Sequence, residues 1–223
     1  MGDIRKAIAE IFDTLPSDRT YGFSEAVNIV VSIAFAAYTV RLKNIGAKEA
    51  LASVLDRARG TEIEHFLKKY AVACEKLSES LSAFDISELK KLILYTEDQL
   101  ASRTSQNLAT PSSLLGLAVR LLDIKPGDSV ADIGTGTGTF LREAFRAEPA
   151  ASFCGIDVDR EAAAVASMRA AVMGENVSSV RQNIFQADEF HGRCDKIFAN
   201  FPFGVRLRGS EGAEGYLKKR GGA

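Results

Sequence analysis

Between residues 132 and 138 the chain reads Asp132-Ile133-Gly134-Thr135-Gly136-Thr137-Gly138. Glycine at every second position lets the main chain adopt turns closed to other residues and lets a ligand come close to the backbone. Nineteen residues beyond Gly138 stands Asp157, and a carboxylate at that distance can take both hydroxyls of a ribose. A dinucleotide loop of the G-x-G-x-x-G kind needs glycine at 139, where this chain has Thr139. Asp132 beside the loop repels a pyrophosphate but can hold a cationic amino group, directly or through water. The pattern therefore points to S-adenosylmethionine over NAD. Asp159 is a second candidate for the ribose, although its place at the start of a helix also suits a cap.

A second cluster, Ala199-Asn200-Phe201-Pro202-Phe203-Gly204, directly follows an apolar run at 196–199. The amide oxygen of Asn200 can accept a hydrogen bond from an exocyclic amine, the carbonyl of Phe201 can accept another, and an aromatic ring can stack on an extruded base. Such a loop suits methylation of a planar amine. The plainer alternative is an aromatic turn that closes the strand.

These residues need a scaffold that brings the two loops to one edge. Ser129–Ile133, Ser152–Ile156, Val177–Arg181 and Lys196–Ala199 read as short strands, and the stretches 139–147 and 160–173 read as helices between them. Strands alternating with helices predict a parallel sheet with right-handed crossovers, whose carboxyl edge carries both loops. Ahead of the first strand, Thr110 caps a helix with Pro111 at its first position; the helix ends at the turn Lys125-Pro126-Gly127-Asp128.

Residues 1–105 differ in pattern. Ile4, Ile8, Ile11, Phe12 and Leu15 form one helical stripe, and a second helix, capped by Ser24, is apolar nearly all round to about Lys43. A third spans 47–59, a fourth opens with a Thr61/Glu64 capping box and runs from 62 to about 81, and Asp85 with Glu88 starts a fifth. The expected organisation is a helical bundle over 1–105, serving as a structural or docking module, and an α/β domain over 106–223. His65 and His191 read as solvated, without a metal.

Composition sets limits on function. The 223 residues hold 46% hydrophobic and 26% charged residues, the proportions of a folded globular protein. Lys plus Arg number 28 against 29 Asp plus Glu, with 14 basic and 15 acidic residues in 1–108 and 14 of each in 109–223. Neither half is a basic arm, so a grip on nucleic acid comes from a local patch or a partner. Cys74, Cys154 and Cys194 lie far apart and indicate neither a disulfide framework nor a thiolate zinc site, which suits a reducing cytoplasm. The most apolar stretch, Ala26 to Val40, includes Asn28 and Ser32 and is shorter than the roughly 20 residues of a membrane span, so it is expected to be a buried helix.

The stretch from Thr110-Pro111 through Gly204, about 95 residues, resembles the N6-adenine DNA methyltransferases, most closely the modification subunits of type I restriction systems. The family's T-P element, its D-P-x-x-G-x-G-x-F loop, the acidic strand end and the N-P-P-[FY] signature occur in order as Thr110-Pro111, Asp132 to Phe140, Asp157 and Asn200 to Phe203. The resemblance implies a Rossmann-like class I methyltransferase sheet behind a helical domain. It also implies S-adenosylmethionine as methyl donor, a flipped adenine in DNA as acceptor, and specificity and restriction subunits as partners. The cofactor residues it implies are Thr110, Pro111, Asp132, Gly134, Gly136, Gly138, Phe140, Asp157 and Asn183; the catalytic ones are Asn200, Phe201, Pro202 and Phe203. Three positions depart from the family: Ile133 and Phe201 stand where it has proline, and Asn183 where it has aspartate.

Only 19 residues follow Gly204, and they read as a glycine-rich basic tail, so the expectation is a truncated relative whose open sheet edge invites a partner chain or self-association. Two other readings fit parts of the pattern. Protein glutamine or RNA methyltransferases share the planar-amine loop, and a noncatalytic assembly subunit would keep the fold without the chemistry.

Overall fold

The computed structural model describes residues 4–14, 22–100, 110, 112–184 and 192–201. They fall into two compact units, one within Met1–Thr110 and one within Pro111–Ala223.

The first unit is all helical: α1 (Ile4–Thr14), α2 (Phe23–Lys43), α3 (Ala47–Arg57), α4 (Glu62–Lys69), α5 (Ala71–Leu81), α6 (Ile86–Leu94) and α7 (Thr96–Leu100). Helix α2 is its axis. Every residue from Ala26 to Thr39 is buried, and α3, α5 and α6 pack around it, which is what an all-round apolar helix requires. Its buried hydroxyls are satisfied within the helix: Ser32 Oγ donates to the Asn28 carbonyl at 2.7 Å and Thr39 Oγ1 to the Phe35 carbonyl at 2.8 Å. At 21 residues α2 is long and apolar enough to cross a membrane, but 78% of its apolar window is buried among its neighbours, the pattern of a core helix. Cys74 lies in the same core, where burial pushes its thiol up to about 12.

Two details of the sequence reading change here. The residue preceding α2 is Gly22 in extended conformation, with no side-chain cap, so Ser24 lies inside the helix. The segment expected as one helix from 62 to 81 bends at Tyr70, whose φ of −112° and ψ of 30° leave the helical region. The hydrogen bonds Tyr70 N–H to Phe66 and Cys74 N–H to Tyr70 continue through the bend, and Tyr70 turns its ring to within 4.9 Å of the Phe66 ring. At 85–88 the capping box forms as read, with Glu88 N–H donating to Asp85 Oδ1 at 2.7 Å.

The second unit contains α8 (Ser112–Leu122), β1 (Ser129–Ile133), α9 (Thr139–Ala147), β2 (Ser152–Asp157), α10 (Arg160–Met173), β3 (Val177–Arg181) and β4 (Lys196–Ala199). All strands are parallel, in the order β3-β2-β1-β4. The chain thus winds outward from β1 to β3 and returns to the other side of β1 for β4. That reversal opens a crevice at the carboxyl ends of β1 and β4, the place where such sheets bind ligands. Val130, Ala131, Phe153 and Ile156 of the sheet, Leu141 and Ala144 of α9 and Ala163, Val165 and Met168 of α10 are all buried. Fully burying one such aliphatic side chain stabilises by about 1.5–3 kcal/mol.

Gly155 is a hidden requirement of this packing. A Cβ there would stand 2.7 Å from Leu141 Cδ1 and 2.8 Å from Thr135 Oγ1, so any larger residue must push those side chains aside where α9 and the loop after β1 close onto β2.

Candidate active site

The loop leaving β1 takes three left-handed turns, at Gly134 (φ 78°), Gly136 (φ 54°) and Gly138 (φ 84°). Gly134 N–H and Thr135 N–H both donate to the Ile156 carbonyl, at 2.8 and 3.1 Å, and tie the loop to the neighbouring strand. At Gly138 a Cβ would meet Ala166 of α10 at 3.5 Å, which is ordinary contact, so there the positive φ is what favours glycine. At Gly136 a Cβ would meet nothing within 4 Å, so the middle of the loop faces open space.

Asp157 ends β2 beside this opening. Its Oδ2 accepts from Gly136 N–H at 2.7 Å and its Oδ1 from Asp159 N–H at 2.9 Å. Each oxygen retains a second lone pair, so the carboxylate is fixed by the backbone and still able to accept two more hydrogen bonds from vicinal hydroxyls. Asp159 takes the capping role, accepting from Ala162 N–H at 2.8 Å at the start of α10.

Asp132 is placed differently from the expectation. Its carboxyl is 1% exposed, lies beneath the loop, and accepts from Thr135 Oγ1 at 2.6 Å. It therefore meets no amino group directly and acts on a ligand only through the loop it pins. Burial pushes it up to about 7, the Thr135 hydroxyl opposes that rise, and the Asp157 charge adds to it.

Phe140 also changes role. It is 2% exposed and stacks on Phe198 of β4, with centroids 4.0 Å apart and planes 6° from parallel, so it supports the loop from the core and offers no face to a ligand. Asn183 follows β3 at the same sheet edge as Asp157, because Gln182 N–H donates to the Asp157 carbonyl at 2.8 Å. Asn200 and Phe201 are exposed just past β4. The register pairs Ile133 with Ala199, which brings Asn200 level with Gly134 across the strand boundary. Phe201 closes the gap: its ring carbons lie 3.2 and 3.3 Å from where a Gly134 Cβ would be. The structure thus brings Asp132, Gly134, Gly136, Gly138, Asp157, Asn183, Asn200 and Phe201 to one edge of the sheet. Thr110 is part-buried and falls within the first unit. Pro111, Pro202, Phe203 and His191 lie outside the described residues.

Three residues that shape the loop were not read from the sequence. Thr135 bridges Asp132 to the loop, Gly155 makes room for it, and Arg169, fully buried in α10, donates from Nη1 to the Thr137 carbonyl at 2.9 Å. For Arg169 a signal existed: beyond its first turn α10 is built of alanine and other small or apolar residues, and a cation inside such a stretch must find a polar partner.

Residues 130–211 match the methyltransferase domain family. In a curated relative, the ribosomal RNA small subunit methyltransferase A of Alkaliphilus metalliredigens (strain QYMF), 126 residues are 29% identical, covering 53% of this chain and 43% of that protein. A modification subunit assigned to a type I restriction enzyme of Vibrio vulnificus YJ016 superposes with a TM-score of 0.60 at 16% identity, over 96% of this chain and 62% of that one. A protein of Listeria monocytogenes assigned to the class I S-adenosylmethionine-dependent methyltransferases does so at 0.53 and 17%, over 96% and 63%. The chain spans less than two thirds of the length of each. At those identities the two structures establish the fold: a class I methyltransferase sheet preceded by a helical region. The loop after β1 and Asp157 fit S-adenosylmethionine, with open space over Gly136 and two further acceptor positions on the carboxylate for a ribose.

Proposed function

We propose that this methyltransferase domain transfers a methyl group from S-adenosylmethionine to the N6 amine of adenine in DNA, as the modification subunit of a restriction system. One observation carries the reading: the loop that opens with Asn200 and Phe201 emerges level with Gly134 and touches it, so an amine held by that loop stands beside the cofactor turn. The likeness in fold to a modification subunit along 96% of the chain supports it.

Asp157 would hold the ribose, the turn from Gly134 to Gly138 would receive the rest of the cofactor along its backbone, and Asn183 would accept from the adenine amino group. When bound, S-adenosylmethionine supplies an electrophilic methyl group on a sulfonium. The chain's own contribution is orientation. The Asn200 amide oxygen and the Phe201 carbonyl accept the two hydrogens of the target amine and turn its lone pair toward the methyl side. Phe203 would stack on the extruded base, with Pro202 completing the same signature, and Thr110 and Pro111 would belong to the cofactor side. The setting proposed is cytoplasmic, with specificity and restriction subunits supplying sequence recognition.

A second reading, methylation of RNA, draws on the 29% identical ribosomal RNA methyltransferase. Incubation with tritiated S-adenosylmethionine and either DNA or small-subunit ribosomal RNA separates the two. Label recovered as N6-methyladenine in DNA is the expected result. Label in RNA alone would replace the proposal with the second reading, and a chain that binds cofactor but labels neither would overturn the catalytic assignment.

A further inference from the structure

The cofactor turn is held at the sheet side by Asp157, whose carboxylate takes the Gly136 N–H at 2.7 Å. Behind it runs α10. Ala166 offers a flat methyl surface 3.5 Å from the position of a Gly138 Cβ, and one turn later Arg169, 0% exposed, donates from Nη1 to the Thr137 carbonyl at 2.9 Å. The Thr137 carbonyl belongs to the peptide between the two glycines that flank it, and neither glycine restrains its own backbone. A charged donor inside a low-dielectric core is a strong restraint on such a peptide.

We infer that Arg169 is a positioning residue for the cofactor. Its guanidinium fixes the plane of the Thr137–Gly138 peptide and thereby the height of the turn over Asp157, so that the Gly136 N–H stays on the carboxylate that would take the ribose. The inference rests on the turn being the S-adenosylmethionine site. Arg169 does not touch the cofactor; it acts through the loop.

The test is isothermal titration of S-adenosylmethionine into the full chain and three variants, with thermal midpoints taken without ligand and amide hydrogen exchange followed at Gly136 and Gly138. Arg169→Met removes the donor, and loss of a charged hydrogen bond predicts a Kd about tenfold higher. Arg169→Lys keeps one shorter charged donor and is expected between wild type and the Met variant. Val172→Ala, a buried change on the same helix, lowers the thermal midpoint without moving Kd or the two exchange rates. Wild-type Kd and exchange in both Arg169 variants, or an equal loss of affinity in Val172→Ala, would overturn the inference and leave Arg169 as packing alone. If the Met variant does not fold, the Lys variant decides by the same two readouts. If wild type itself does not bind, the cofactor reading fails; unchanged exchange at Gly136 and Gly138 in Arg169→Lys would then separately refute the clamp.

Discussion

The ring of Phe201 lies against the backbone of Gly134, with Cδ1 and Cε1 at 3.2 and 3.3 Å from the place a Cβ would occupy. The first residue after Asn200 is thereby packed on the first turn of the cofactor loop. Gly134→Ala must both adopt a φ of 78° and push that ring aside. The expected cost is about 1–3 kcal/mol of stability, accompanied by weaker S-adenosylmethionine binding in titration. Phe201→Ala in the same background is expected to restore part of the affinity, since it removes the collision but not the backbone strain.

Gly155→Ala tests the support beneath the loop. A methyl at 2.7 Å from Leu141 and 2.8 Å from Thr135 overpacks the junction of β2, α9 and the turn. Urea unfolding is expected to show a loss of about 1–3 kcal/mol. Wild-type stability would mean that Leu141 has room to swing away.

Asp157 and Asn200 separate binding from transfer. Asp157→Ala removes the acceptor of Gly136 N–H and the proposed acceptor of the ribose, and Kd for S-adenosylmethionine is expected to rise about ten- to a hundredfold. Asn200→Ala leaves the loop of β1 intact, so binding is kept while the transfer rate falls by about a hundredfold. Undiminished transfer in the Asn200 variant would remove it from the mechanism.

Asp132 gives the protein a pH dependence. Its burial, reinforced by the nearby Asp157 charge and opposed by the Thr135 hydroxyl, raises it to about 7 in the folded chain, against about 3.9 when unfolded. Between those values the folded chain keeps a proton that the unfolded chain has released. Stability therefore falls as pH rises from about 4 to about 7 and is level above, by an amount on the order of 4 kcal/mol. Asp132→Asn, which still accepts from Thr135, is expected to flatten this slope and to be the more stable form at pH 8. Denaturant unfolding at pH 5 and pH 8 measures it, and equal slopes in both proteins would contradict the assignment.

Much of the scaffold was legible in the chain. The bounds of β1, β3, β4 and α10 follow from short apolar runs punctuated by glycine, proline and aspartate, and the structure has them as read. The edge position of Asp157, Asn183 and Asn200 follows from the alternation of strands and helices. What the sequence hid was depth. Asp132 and Phe140 look like ligand-facing residues because they flank a glycine loop, yet both point beneath it, one to Thr135 and one to Phe198. The bend at Tyr70 escaped because helical hydrogen bonds continue through it. In each case the deciding fact is a partner distant in sequence or a dihedral angle, and neither leaves a periodic trace.

The central claim is that the turn from Gly134 to Gly138 and the Asp157 carboxylate form an S-adenosylmethionine site. Isothermal titration of the 223-residue chain with S-adenosylmethionine, run beside Asp157→Ala, tests it most directly. The wild type is expected to bind one equivalent at micromolar Kd and the variant to bind markedly more weakly. A folded wild-type chain that binds no S-adenosylmethionine, or a variant that binds it equally well, would contradict it.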